Sequence, residues 1–162
     1  MASSQIIPKK IYKVVLKMVP IFCVDAIIKT ERGVLLGIRN NEPVKNKPWF
    51  IGGRVFYDEP LEKAILRKVK EETGLKVKIE KLVGTYACIF HKGERRHTIC
   101  ATYVVKKVGG KLSSDDQHSG FVYIKNVNRH LPKYVREILL ESGVFRQKKS
   151  PPKYGGWTMV VD

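Results

Sequence analysis

The stretch GGRVFYDEPLEKAILRKVKEETGL, residues 52–75, limits this chain more than any other. Pro60 suits the first turn of a helix and Gly74 its stop, so the spacing predicts a helix over residues 60–73. With about 100° between successive residues, Leu61, Ile65 and Val69 form one apolar stripe, flanked by Ala64 and Leu66. Glu72 falls about 20° from Ile65, inside that stripe, whereas Glu71 projects about 100° away beside Ala64 and Arg67. An inward carboxylate near a helix C-terminus loses hydration and faces the negative end of the backbone dipole. A positive charge is therefore expected to meet Glu72. Two candidates present themselves. One is Lys68, four residues earlier, in the weaker Lys-to-Glu order. The other is a divalent metal ion held by the hard oxygens of Glu72 and Glu71.

The rest of the chain reads as a folded protein. Its 162 residues are 43% hydrophobic, enough for a real core. The expected organisation is one domain over residues 1–145 with a basic tail, RQKKSPPKYGGWTMVVD, over 146–162. No apolar run approaches the roughly 20 residues that span a bilayer, and the first 20 residues lack an uninterrupted apolar core. A cytoplasmic protein with no membrane partner is expected. Cys23, Cys88 and Cys100 sit in apolar runs without a CxxC pair and read as buried free thiols. The net charge of +16 suits attraction of a polyanion, whether nucleic acid or nucleotide, or a Lys-rich solvated surface. Charge alone does not choose among them.

Apolar spacing behind Pro8 predicts an amphipathic helix over residues 8–18. A buried strand follows over 19–29, then a turn at Arg32-Gly33 and a second strand. NNEPVKNKPW reads as a loop. After the central helix, strands are expected at 76–90 and 96–107 around a hairpin, HKGERR. A polar loop, GGKLSSDDQHSG, leads to a last strand, FVYIK, and a last helix, PKYVREILLES. Together these predict an α/β sandwich around a mixed sheet.

Gly53, five residues, Glu59, seven residues, Arg67, then Val69, Glu71, Glu72, Gly74 and Leu75 match the Nudix box, GX5EX7REUXEEXGU, at every defined position but one. The exception is Lys68, where the box has Glu. The chain thus resembles the Nudix hydrolase superfamily, which implies an α/β/α sandwich whose loop–helix–loop cradles a divalent ion against a nucleoside diphosphate linked to another moiety. With VDAII, LLGIRNNEP, GGRV and DDQH, it further resembles the GDP-mannose mannosyl hydrolase subfamily over about residues 8–145, which works without the missing glutamate. That resemblance implies Mg2+ or Mn2+ held by the Gly52 carbonyl, Glu72 and Gln117. It also implies His118 as general base, Arg39, Arg54 and Arg67 as catalytic cations, Asp25 on the sugar, and a homodimer. Those enzymes attack the anomeric carbon of a GDP-sugar, GDP-mannose or GDP-glucose, and release GDP and free sugar. Glu71 is retained here although that subfamily does not require it.

The chemistry suits these residue types. A metal and guanidinium groups stabilise a departing diphosphate, and a histidine is a base near neutrality. Three readings follow. The first is a metal-dependent GDP-sugar hydrolase acting at carbon. The second is a conventional Nudix pyrophosphatase acting at phosphorus on an NDP-sugar, ADP-ribose or a nucleoside triphosphate, with Glu59 and Glu71 as added ligands. The third is an inactive nucleotide- or RNA-binding module. No stacked-aromatic motif or basic recognition helix supports it, so a nucleic-acid partner is not expected.

Overall fold

A computed structural model describes residues 7–91, 95–113, 118–145 and 156–161. The described elements are, in order, α1 (Lys9–Met18), β1 (Ile21–Thr30), β2 (Gly33–Arg39), β3 (Pro48–Trp49), β4 (Ile51–Arg54), α2 (Leu61–Thr73), β5 (Leu75–Phe90), β6 (Arg96–Gly110), β7 (His118–Ile124), α3 (Lys133–Ser142) and β8 (Thr158–Val161). The strands form a mixed sheet ordered β3-β2-β1-β6-β5-β8, with β4 also on β1 and β7 on β2. This is the expected α/β/α sandwich. No helix among the described residues is long and apolar enough to cross a membrane.

Strand β1 organises the fold. It runs parallel to β6 from Ile21 to Lys29. Its other edge is divided, with residues 23–26 pairing antiparallel with β4 and residues 28–30 with β2. Alternation then sends its side chains to two cores. Val24, Ala26 and Ile28 pack with Ala64, Ile65 and Val69 of α2. Ile27, one residue out of phase, packs with Tyr134, Val135, Ile138 and Leu139 of α3.

Several boundaries differ from those expected, each for a physical reason. Strand β4 is built from Ile51, Gly52, Gly53 and Arg54, and paired glycines carry no strand preference of their own. Residues 118–120, expected in a polar loop, open strand β7, where His118 pairs with Arg39 and is buried. Residues 158–161, expected only as part of a basic tail outside the domain, run parallel to β5 as an edge strand of the same sheet. Trp157 anchors that strand, with its ring against Tyr86 and its indole N–H donated to Glu141.

Helix α2 ends where the sequence suggested. Gly74 takes a left-handed conformation, φ +70°, and its N–H closes on the Lys70 carbonyl. A Cβ there would lie 2.6 Å from the Lys111 carbonyl oxygen and 2.7 Å from Ser113 Oγ. Gly74→Ala should therefore cost about 2–3 kcal/mol, combining left-handed strain with the clash. Urea unfolding checks this, and a loss below about 0.5 kcal/mol would contradict it.

Candidate active site

The site forms where α2 crosses the β1–β4 ladder. Asp25 stands opposite Gly52, and Val24 opposite Gly53. Both glycines are needed for close approach. A Cβ on Gly52 would fall 2.0 Å from the Val24 carbonyl oxygen and 2.6 Å from Asp25 Oδ1. On Gly53 it would fall 2.7 Å from Lys68 Cε.

Glu72 is 1% exposed, as its place on the apolar stripe predicts. Its compensating charge is Lys68, whose Nζ lies 2.6 Å from Glu72 Oε1. The same ammonium lies 3.6 Å from Glu71 Oε2. On the other side His118 Nε2 stands 3.8 Å from Glu72 Oε2. The His118 ring stacks on Phe121, and Gly37 makes room for it, since a Cβ there would fall 2.2 Å from His118 Cδ2.

A second ion pair fixes the loop before α2. Arg67 grips Glu59 with both arms, Nε to Oε1 at 2.6 Å and Nη2 to Oε2 at 2.7 Å. Its remaining reach goes to Glu71 Oε2 and the Arg54 carbonyl, both at 3.1 Å. The Arg67 guanidinium lies 3.8 Å over the Phe56 ring, while the Phe56 N–H donates to Glu59. This bond to Arg67 holds the Glu59 carboxyl below its ordinary range. Glu59 therefore acts as a clamp on the loop and does not present a carboxylate to the cleft. Arg67, committed chiefly to Glu59, also ties in Glu71 and the Arg54 carbonyl on the same wall.

Asp25 is the buried acid at the floor. It accepts from the Tyr134 hydroxyl at 3.2 Å. Burial outweighs this bond, a bond from Cys100 and the field of Arg39, and raises its carboxyl to about 7. Arg39, at the end of β2, has a buried Nε with no hydrogen-bond acceptor among the described residues. Burial and then nearby Arg96 weaken its hold on its proton, while Asp25 and Glu72 oppose them.

A cleft of about 380 Å³ joins these groups. Asp25, Arg39, Gly52, Arg54, Arg67 and Glu71 are on its walls, together with Lys68. Glu72 and His118 are buried beneath that lining rather than part of it. Gln117 lies outside the described residues. Among the described residues no cluster of three or more His, Cys, Asp or Glu side chains is arranged to hold a metal ion. The cysteines are free and buried, as expected.

Among the cleft residues that sequence reasoning missed are Phe56, Arg96 and Tyr134. Arg96 was legible only as part of a basic hairpin. It also lines a neighbouring cleft with Lys13, Lys17, Arg95 and His97. Tyr134 reads as an ordinary core aromatic of an amphipathic helix, and it does stack on Trp49.

With this geometry, residues 20–133 match the NUDIX domain family, and the chain belongs to that family of hydrolases. It is 33% identical over 139 residues to the low-salt glycan biosynthesis protein Agl8 of Haloferax volcanii, covering 82% of this chain and 88% of that one. It is 36% identical over 115 residues to an ADP-ribose pyrophosphatase of Methanocaldococcus jannaschii, covering 70% of this chain and 68% of that one. The crystal structure of a MutT protein from Methanosarcina mazei shares the fold, with a TM-score of 0.64 and 24% identity, over 75% of this chain and 91% of that one.

The raised Asp25 carboxyl has a signed consequence. Its folded value, about 7, exceeds the ordinary 3.8, so the folded protein holds the proton more tightly. The Asp25 contribution to stability is then full below about pH 4 and is lost as pH rises through about 7. Asp25→Asn should flatten that decline by a few kcal/mol in urea unfolding between pH 4 and pH 8; an unchanged pH profile would contradict the assignment.

Proposed function

We propose that the protein hydrolyses a nucleoside diphosphate linked to a sugar-type moiety, with Mg2+ or Mn2+, by attack of water at phosphorus. The products are a nucleoside monophosphate and a sugar phosphate. The carrying observation is the cleft in which Arg39, Arg54 and Arg96 face the same space as Glu71 and the Lys68 ammonium. A buried guanidinium N–H without an acceptor, as at Arg39 Nε, costs about 1–3 kcal/mol. Diphosphate oxygens are the acceptors such a group recognises. The similarity to an ADP-ribose pyrophosphatase and to a glycan biosynthesis protein supports a substrate of this class.

The donor chemistry suits a divalent ion. Glu72 Oε1 and Glu71 Oε2 both face one cation position, that of Lys68 Nζ, and hard carboxylate oxygens fit Mg2+ or Mn2+. Glu72, with Glu71, the Gly52 carbonyl and Gln117, would hold it. When bound, such an ion polarises a phosphoryl oxygen and acidifies water. The chain's own side chains do the rest. Arg39 and Arg54 neutralise charge gathering on the diphosphate, and Arg67 keeps Arg54 and Glu71 in place through its grip on Glu59. Asp25, near neutrality in its titration, exchanges a hydrogen bond with a sugar hydroxyl. Exposed Ile11, Val14 and Met18 on α1 support a homodimer.

A second reading places the attack at the anomeric carbon, with His118 as base and GDP and free sugar as products. Lys68 favours it, because no carboxylate stands at that box position beside phosphorus. The similarity to an ADP-ribose pyrophosphatase favours attack at phosphorus and puts that reading first.

Product analysis with GDP-mannose and ADP-ribose separates the readings. GMP with mannose 1-phosphate, or AMP with ribose 5-phosphate, is the expected outcome. GDP with mannose would establish the second reading, and no turnover of either compound would overturn both. His118→Ala should retain activity within about tenfold, whereas loss of a general base would lower turnover about 10²–10⁴-fold.

A further inference from the structure

We propose that the Lys68 ammonium is a resident cation at the metal position of the substrate-free protein, so that the divalent ion enters with the diphosphate rather than ahead of it. The inference rests on the reading above in taking Glu72 as a ligand of the divalent ion and a diphosphate as part of the substrate.

Three observations carry it. The first is that Lys68 Nζ sits between two carboxylates, 2.6 Å from Glu72 and 3.6 Å from Glu71, where a bridging cation would stand. The second is that Lys68 is only 8% exposed, and its head is housed. A Cβ at Gly53 would come within 2.7 Å of its Cε and 3.3 Å of its Nζ, so the glycine leaves the space this ammonium fills. The third is charge. Arg67 is committed chiefly to Glu59, and among the described residues the Lys68 ammonium lies 2.6 Å from the buried Glu72 carboxylate.

The consequence is a competition. A divalent ion reaching the free protein must push the ammonium off Glu72, leaving a cation in a partly desolvated space without an acceptor. A diphosphate arriving with the ion supplies the acceptor. The lysine stem is flexible and its head carries three donors, so the ammonium can turn from carboxylate to phosphate oxygen. Metal and diphosphate then bind with positive coupling, and by linkage each strengthens the other equally. A box with Glu in place of Lys68 would have no such competitor. Lys68 is in this sense a positioning residue that sets the order of binding.

Direct Mn2+ titration of the full chain, followed by the electron paramagnetic resonance signal of free Mn2+, tests this without turnover. Lys68→Met should bind Mn2+ alone at least about tenfold more tightly than the wild type, because the competing charge is gone. Adding GDP should tighten Mn2+ binding to the wild type by more than it does for Lys68→Met, with Mn2+–GDP association measured separately. Equal Mn2+ affinity in the two proteins would overturn the proposal. Should Lys68→Met fail to fold, the wild type still decides. Its melting temperature should rise with Mn2+ plus GDP but not with Mn2+ alone, and a full rise with Mn2+ alone would overturn the proposal. An unexpected product pattern alongside these binding results would count against the bond assignment and leave this inference standing.

Discussion

The pairing of Lys68 with buried Glu72 is the interaction on which the site depends. A carboxylate 1% exposed on the apolar stripe of α2 is tolerable only while a cation meets it. Removing one partner of such a pair costs about 3–5 kcal/mol. The demand spreads outward. Gly53 must lack a side chain to admit the lysine, and Gly52 to admit Asp25 and the Val24 carbonyl. Gly74 must end the helix two residues after Glu72, and the Arg67–Glu59 clamp must hold the loop that leads into it. The box is thus a set of steric and electrostatic requirements around one inward carboxylate.

Much of this was legible in the sequence because it follows from periodicity. The helix over 60–73, the inward turn of Glu72 and the glycine stop all come from angular spacing and backbone freedom. Lys68 as its partner was one of two candidates, and spacing could not choose between them. Asp25 was legible as an expensive charge inside an apolar run, but its partner was not. Tyr134 arrives from α3, 109 residues away in sequence, on the face where aromatics read simply as core. Strand β4 and the edge strand β8 were missed because glycines and a basic, proline-containing tail carry no strand signal. His118 was placed in a loop because Ser, Asp and Gly surround it, yet pairing with Arg39 draws it into the sheet and under the cleft.

Electrostatics link the site to the whole surface. A chain with a net charge of +16 keeps few acids in its cleft, and those it keeps are accounted for. Glu71 shares Arg67 and Lys68, and Asp25 is held toward its neutral form, while Glu59 is clamped by Arg67 outside the cleft lining. Against them stand Arg39, Arg54 and Arg96, and beyond Arg96 the basic cleft with Lys13, Lys17 and Arg95. Arg96 lines both clefts, so the basic surface runs without a break into the groups proposed to bind the diphosphate.

On the proposed order of binding, Glu72 changes partner, from the Lys68 ammonium to a divalent ion, when the diphosphate binds. The most direct measurement is a crystal structure with Mn2+ and a non-hydrolysable nucleoside diphosphate-sugar analogue, with the ion located by anomalous scattering. The expected result is an ion coordinated by a Glu72 carboxylate oxygen, with Lys68 Nζ moved to a phosphate oxygen. An ion bound elsewhere, with Lys68 still seated on Glu72, would contradict it.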